Sequence, residues 1–339
     1  MIRVAINGYG RIGRCVLRAL HERADAQGLQ VVAINEPADL TTMCYLTRYD
    51  TTHGRFPGEV DQGDESLIVN DEAIRVSHEQ HIERLPWRDL QIDLVLECSG
   101  VYEARHDAEK HLNNGARKVL FSHPAVPEVD ATIVYGINHQ QLSDSDRIVS
   151  NASCTTNCIV PVIAVLDQAF GIEAGQITTI HSVMNDQPVI DAYHHTDLRK
   201  TRSASQSVIP IETQLAKGIE RILPHTKGRF SAGAIRVPTT NVSIMDLSVW
   251  LSKDVTPAEL NTALRQASEQ HLNGILGYTE EPLASCDFNH DPRSGVVDAG
   301  QTRVSGGRLA KVFTWFDNEW GFANRMLDVA ALMTSAKRR

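Results

Sequence analysis

At 339 residues the chain has the length of about two domains of ordinary size. Hydrophobic residues make up 42% and charged residues 22%, as in globular proteins, and the formal charge of −9 argues against a nucleic-acid partner, whose phosphates call for a basic surface. No apolar run approaches membrane-spanning length and no signal-peptide core precedes the first strand. Six scattered cysteines without a CxxC pair fit a reduced, cytoplasmic setting with neither a disulfide framework nor a bound metal.

In chain order, short apolar runs at Val4–Ile6, Val31–Ile34, Leu94–Glu97, Val119–Phe121, Thr132–Tyr135 and Ile148–Val149 lack strict alternation. Parallel strands covered on both faces read this way. Between the first two, Ile12, Val16, Leu17 and Leu20 share one side of a helix, which predicts the βαβ unit of a doubly wound (Rossmann) α/β domain over 1–151. The turn after the first strand is Gly8-Tyr9-Gly10-Arg11-Ile12-Gly13. Its three glycines suit a tight turn, close approach of a pyrophosphate to the backbone, and packing of helix on strand. Glu36 ends the second strand about 20 residues further on, where a carboxylate accepts from the ribose hydroxyls and repels a 2′-phosphate; this predicts NAD as cofactor. Ser99-Gly100 closes another strand at the same carboxyl edge.

Residues 150–158, Ser-Asn-Ala-Ser-Cys-Thr-Thr-Asn-Cys, precede an apolar run that ends at Gly171. The pattern places Cys154 at the start of a buried helix, where unpaired N–H groups and the peptide dipoles favour a thiolate and can hold an oxyanion. Taken alone, a free cysteine is as often a packed structural residue. Beyond it the strands lengthen: Gln176–His181, Ala234–Val237, Val242–Trp250 and Ala310–Phe316 predict a mostly antiparallel sheet in an α+β domain over 152–318. Residues 255–272 read as a helix with Thr256 at its cap and Pro257 at its first position. Trp320–Lys337 is helical, and 319–339 is expected to complete the first domain. His181, at the end of its strand, is the base that a nucleophilic Cys154 would need. A cysteine, a histidine and a nicotinamide together suggest oxidation of an aldehyde through a hemithioacetal and a thioacyl-enzyme.

At this point the chain resembles the glyceraldehyde-3-phosphate dehydrogenase family over essentially its whole length. The matching segments are Asn7–Arg14, Tyr49–Gly54, Ser153–Cys158, Arg236-Val237-Pro238-Thr239 and Asp317-Asn318-Glu319-Trp320-Gly321. The resemblance implies that Cys154 is the nucleophile, His181 its base and Asn318 the partner of the nicotinamide carboxamide. It assigns substrate phosphate to Arg236 and to a basic position in Asp197–Arg202 (Arg199 or Lys200), with Ser153, Thr155 and Thr213 as hydroxyl partners. It also implies a homotetramer in which 183–205, with Pro188, Tyr193 and His194-His195, reaches toward a neighbour.

The departures fall on anion-binding positions. Met184 stands where the glycolytic enzymes usually carry Thr, Gln214 where they commonly carry Gly, and Lys200 where Arg is frequent. Asn35-Glu36, Phe121-Ser122-His123-Pro124, His181-Ser182-x-Met184 and Thr213-Gln214 resemble the erythrose-4-phosphate dehydrogenase branch. That branch oxidises a four-carbon sugar phosphate to 4-phosphoerythronate, with water as acceptor, for vitamin B6 synthesis. The resemblance thus predicts a small phosphorylated aldehyde as partner, with neither nucleic acid nor membrane. The alternatives are a phosphorylating glyceraldehyde-3-phosphate dehydrogenase and a non-enzymatic NAD-binding regulator.

Overall fold

The computed structural model describes all residues except 24–27, 195 and 336–339. The chain forms two compact units: Met1–Ser153 joined by the stretch from Phe322 onward, and Cys154–Gly321. Among the described residues no helix is long and apolar enough to cross a membrane.

The first unit is built on a nine-stranded sheet among the described residues. Ile2–Asn7 lies near its middle, flanked by Leu29–Asn35 on one side and Leu94–Glu97 on the other, both parallel to it. The chain therefore winds outward in two directions from Ile2–Asn7, and a crevice opens beyond the carboxyl ends of these three strands, where doubly wound folds bind their ligands. Lys118–Phe121, Ile148–Ser150 and Ala131–Thr132 continue the parallel sheet. The opposite edge carries Glu72–Ser77, followed by the antiparallel strands Ser66–Val69 and Val60–Gln62, which the sequence reading did not anticipate. The run predicted as Thr132–Tyr135 is a strand only through Thr132. The Asn138 amide accepts from Val134 N–H and donates to Thr132 C=O, each at 2.8 Å, and so draws the chain into a turn. Arg11–Glu22 is the crossover helix, its buried face including Val16, Leu17 and Leu20. The C-terminal helix runs Trp320–Thr334; part of the predicted 319–339 segment lies outside the described residues.

The second unit holds a seven-stranded, mostly antiparallel sheet among the described residues. Ser243–Leu251 and Leu309–Phe316 alternate buried and half-buried positions, as strands with one covered face do. Gly295–Ser305 and Leu276–Thr279 extend the sheet beyond the predicted strands. The apolar helix Cys154–Phe170 packs on the sheet and stops where Gly171 takes a φ of +71°. Pro257–Glu269 has the predicted start. Thr256 Oγ1 accepts from Glu259 N–H, and the Glu259 carboxylate accepts from Thr256 N–H at 2.8 Å, a reciprocal cap.

Candidate active site

In the first unit, Gly8, Gly10, Glu36 and Ser99 from the sequence reading all line one cavity of about 400 Å3 at the carboxyl ends of the central strands. Gly8 has a φ of +90°, and a Cβ there would lie 2.4 Å from the Ser99 backbone, so only glycine lets these strand ends approach. Above Gly10 nothing lies within 4 Å of a hypothetical Cβ, and as the helix cap it offers no side chain to the first N–H groups. A pyrophosphate fits this arrangement: open space over backbone donors at a helix start. A Cβ on Gly13 would strike Gly8 C=O, so here the helix rests directly on the turn. The Glu36 carboxylate is aimed by Tyr9 N–H, which donates to it at 2.8 Å, and it stays at the cavity wall.

Arg11 and Ile12 do not line that cavity. Arg11 forks onto Asp50, which also accepts from Thr52 and His53 N–H. Burial alone would raise Asp50, but these donors prevail and hold it at about 2.

Beneath the cavity runs a buried polar network that the sequence reading missed. Glu97 and His111 are fully buried. The Trp87 indole N–H donates to His111 Nδ1 at 2.9 Å, and an indole can only donate. His111 therefore carries its proton on Nε2 and donates to Glu97 Oε2 at 3.0 Å. The same oxygen accepts from Asn7 Nδ2 at 2.6 Å, and Oε1 accepts from Ser99 N–H and Oγ–H. Asn7 Oδ1 in turn accepts from Asn35, whose own Oδ1 accepts from Glu79 N–H. Asn7, Asn35, Glu79 and Ser99 all face the cavity, so Glu97 anchors the floor on which a cofactor would lie. An acidic residue closing the apolar strand Leu94–Glu97 was the one sequence signal for it.

In the second unit, strand register assembles a reactive edge. Ile172–His181 and Phe230–Arg236 are parallel, and their last residues, His181 and Arg236, are direct partners. Ser243 opens the antiparallel neighbour of the first strand, and Phe316, its own partner, leads into Asp317-Asn318. His181 Nδ1 lies 2.8 Å from Ser182 C=O; a carbonyl only accepts, so Nδ1 bears the proton and Nε2 keeps its lone pair. Burial lowers His181, and nearby Arg236 adds to this, which keeps the imidazole neutral and able to accept a proton.

Asn318 Oδ1 accepts from Ser182 Oγ at 3.0 Å and from Ser243 Oγ at 2.9 Å. Both hydroxyls pin the carbonyl end of the amide, and Ser243 Oγ itself accepts from Ser182 N–H. No spacing rule pointed to Ser243.

Cys154 starts its helix, as predicted. The half-buried residue is pulled in two directions. Burial pushes the thiol up to about 12; the N–H groups of Thr155 and Cys154 pull it down, while Glu319 and Asp317 push it up. Desolvation of a buried sulfur outweighs the helix start. Glu319 acts electrostatically on both Cys154 and His181, raising each. Cys158, one turn on, packs where a Cβ on Gly295 would lie 3.0 Å from its sulfur.

The predicted phosphate ligands divide. Arg236 is buried, its Nη1 and Nη2 donating to the two oxygens of Asp186 and its Nη2 also to Met184 Sδ at 3.4 Å. Lys200 Nζ donates to Asp186 Oδ2 at 2.9 Å. Arg199 is exposed and turns to Pro210 C=O. Thr213 Oγ1 accepts from Leu215 N–H, and Gln214 is the exposed residue preceding the Leu215–Ile222 helix. Ser153 closes the first unit, and Thr155 lies in the first turn after Cys154.

Residues 2–105 match the family model described as glyceraldehyde 3-phosphate dehydrogenase, NAD binding domain. Residues 153–318 match the model described as glyceraldehyde 3-phosphate dehydrogenase, C-terminal domain. The cavity and the His181 edge lie within these two matched regions, and the chain belongs to the glyceraldehyde 3-phosphate dehydrogenase family, as an NAD-dependent oxidoreductase acting on phosphorylated aldehydes.

Proposed function

We propose that this chain oxidises D-erythrose 4-phosphate to 4-phosphoerythronate, with water as acceptor, in the route to pyridoxal phosphate. The observation that carries the reading is the contact of Met184 Sδ with Arg236 Nη2. A thioether is a weak acceptor and donates nothing, so this corner lacks a hydroxyl for an inorganic phosphate. Lys200, a point charge on a flexible stem, and the exposed Gln214 weaken phosphate capture further.

In this reading His181 Nε2 takes the Cys154 proton, and the sulfur adds to the aldehyde carbon. His181 returns the proton to the resulting alkoxide, giving a hemithioacetal on Cys154. Bound NAD supplies the acceptor for the hydride that leaves this carbon. His181 takes the hydroxyl proton in the same event, and a thioacyl group remains on the sulfur. His181 gives that proton up to solvent and then accepts one from water as the water oxygen bonds to the acyl carbon; the C–S bond breaks, His181 returns the proton to the leaving sulfur, and the acid is released. Asn318, its carbonyl pinned by two serines, keeps its amide N–H groups for the nicotinamide carboxamide. The roles assigned to Ser153, Thr155, Thr213 and Arg199 belong to this proposal as contacts of the substrate phosphate. So do a cytoplasmic setting and assembly with three further copies; exposed Val189, Ile190, Tyr193 and Leu198 in 183–205 support an interface there. His195, in the same segment, lies outside the described residues.

The test is NADH formation with erythrose 4-phosphate and with glyceraldehyde 3-phosphate, each with and without inorganic phosphate. Phosphate-independent turnover with higher kcat/KM for the four-carbon aldehyde is expected. Strict phosphate dependence with preference for glyceraldehyde 3-phosphate would overturn the reading and support the phosphorylating reaction.

A further inference from the structure

Arg236 and Lys200 meet on a single carboxylate. Asp186 binds both terminal nitrogens of the Arg236 guanidinium and, through Oδ2, the Lys200 ammonium. The end-on fork of Arg236, the edge that matches two phosphate oxygens, is thus filled by this chain's own acid. On the other edge Nη2 meets the Met184 sulfur, and Nε–H is buried without an acceptor among the described residues. Exposure is unequal: the Arg236 side chain is 5% exposed and that of Asp186 38%. The carboxylate therefore forms the solvent-side cover of a buried cation.

We infer that Asp186 is a resident stand-in for the substrate phosphate, a specificity-determining carboxylate that an incoming phosphoryl group must displace from Arg236 and Lys200. The inference rests on the proposed role of these two residues in holding a phosphorylated aldehyde. Three features make the exchange workable. Asp186 sits in the segment between Val183 and Pro188, outside any helix or strand, so it can move without breaking the sheet. Partly exposed ion pairs are weak, and a dianionic phosphate outcompetes a monoanionic carboxylate for two cations. Arg236 itself is fixed by strand pairing with His181 and Ile209, so the cation stays when its cover leaves. A free inorganic anion must win the same exchange without the binding energy of an attached aldehyde. Asp186 thereby discriminates against inorganic phosphate and in favour of a phosphate tethered to substrate.

The test compares wild type, Asp186→Asn and Asp186→Glu in full-length protein, with NAD binding and thermal melting as checks on folding. Sulfate and inorganic phosphate serve as inhibitors competing with the phosphorylated aldehyde. Glyceraldehyde, which lacks the phosphate, is the control substrate. Asp186→Asn is expected to tighten sulfate inhibition by about two- to fivefold and to lower KM for the phosphorylated aldehyde. The KM for glyceraldehyde should stay unchanged, and Asp186→Glu should behave as wild type. Sulfate inhibition that weakens or stays constant in Asp186→Asn would overturn the inference, since Asp186 would then organise the cations rather than cover them. If Asp186→Asn does not fold, Asp186→Ser supplies the same comparison. The sulfate readout does not depend on which aldehyde the wild type prefers, so the two proposals fail separately.

Discussion

The two units contain two carboxylates with opposite surroundings. Glu97 is fully buried and accepts from neutral donors: an imidazole N–H, an amide, a backbone N–H and a hydroxyl. Asp186 is half exposed and binds two cations. A buried acid whose lone pairs are all satisfied by neutral donors is a fixed part of the scaffold, costly to disturb. An acid at the surface between cations is exchangeable, because solvent and other anions compete for the same partners. The first unit offers its cofactor a preset floor, and the exchange proposed at Asp186 gives the second a site that changes when substrate arrives.

Substitutions at three positions sharpen this contrast. The largest effect is expected from His181→Asn in the second unit, which removes the proton acceptor and lowers kcat by about 10^2- to 10^4-fold. NAD affinity, measured by quenching of intrinsic fluorescence, should not change. In the wild type, burial places the His181 pKa below 6.5, so kcat/KM should fall as pH drops through that lower value. The variant should lack this acid limb; a limb that persists would assign the titration to another group.

Glu97→Gln in the first unit should do the reverse. An amide cannot accept from all four donors and turns its own N–H groups toward some of them, so stability should drop by about 2–4 kcal/mol. The loss is read by urea unfolding at neutral pH. KM for NAD should rise more than kcat falls, because Ser99 and Asn7 lose their anchor. Wild-type stability in this variant would remove Glu97 from the scaffold.

The smallest effect is expected at Ser243. Ser243→Ala removes one of two hydroxyls on Asn318 Oδ1, worth about 1 kcal/mol, or roughly fivefold in kcat/KM for NAD. Ser243→Thr, which keeps the hydroxyl, should restore it. Equal loss in both variants would show that packing at position 243, not the hydrogen bond, sets the amide.

Much of the architecture was written in local pattern. Glycine spacing, the apolar helix before Gly171 and the Thr256-Pro257 cap each follow from rules that act within a few residues. The missed strands break those rules. Gly295–Ser305 carries Gly, Asp and Arg in its interior, and its pairing with Leu309–Phe316 shifts register between Asp298 and Arg303. The strands between Val60 and Ser77 are short and half polar. In the site, Cys154 and His181 stood out by type and position. Asp186 and Ser243 did not, since their partners Arg236 and Asn318 lie 50 and 75 residues away in sequence. The helix start that favours a Cys154 thiolate is visible in sequence, whereas the desolvation that opposes it is a property of the fold.

The indole of Trp87 has one further effect. Because it can only donate, it fixes the His111 tautomer and the direction of the bond to Glu97, while on the other side the Glu79 N–H, Asn35 and Asn7 donate in turn toward the same carboxylate. The two arms meet head-on at an acceptor-only carboxylate, which leaves one orientation for the His111 ring proton and one for each amide. A nucleotide entering the cavity therefore meets donors and acceptors on Asn7, Asn35 and Ser99 that are already set.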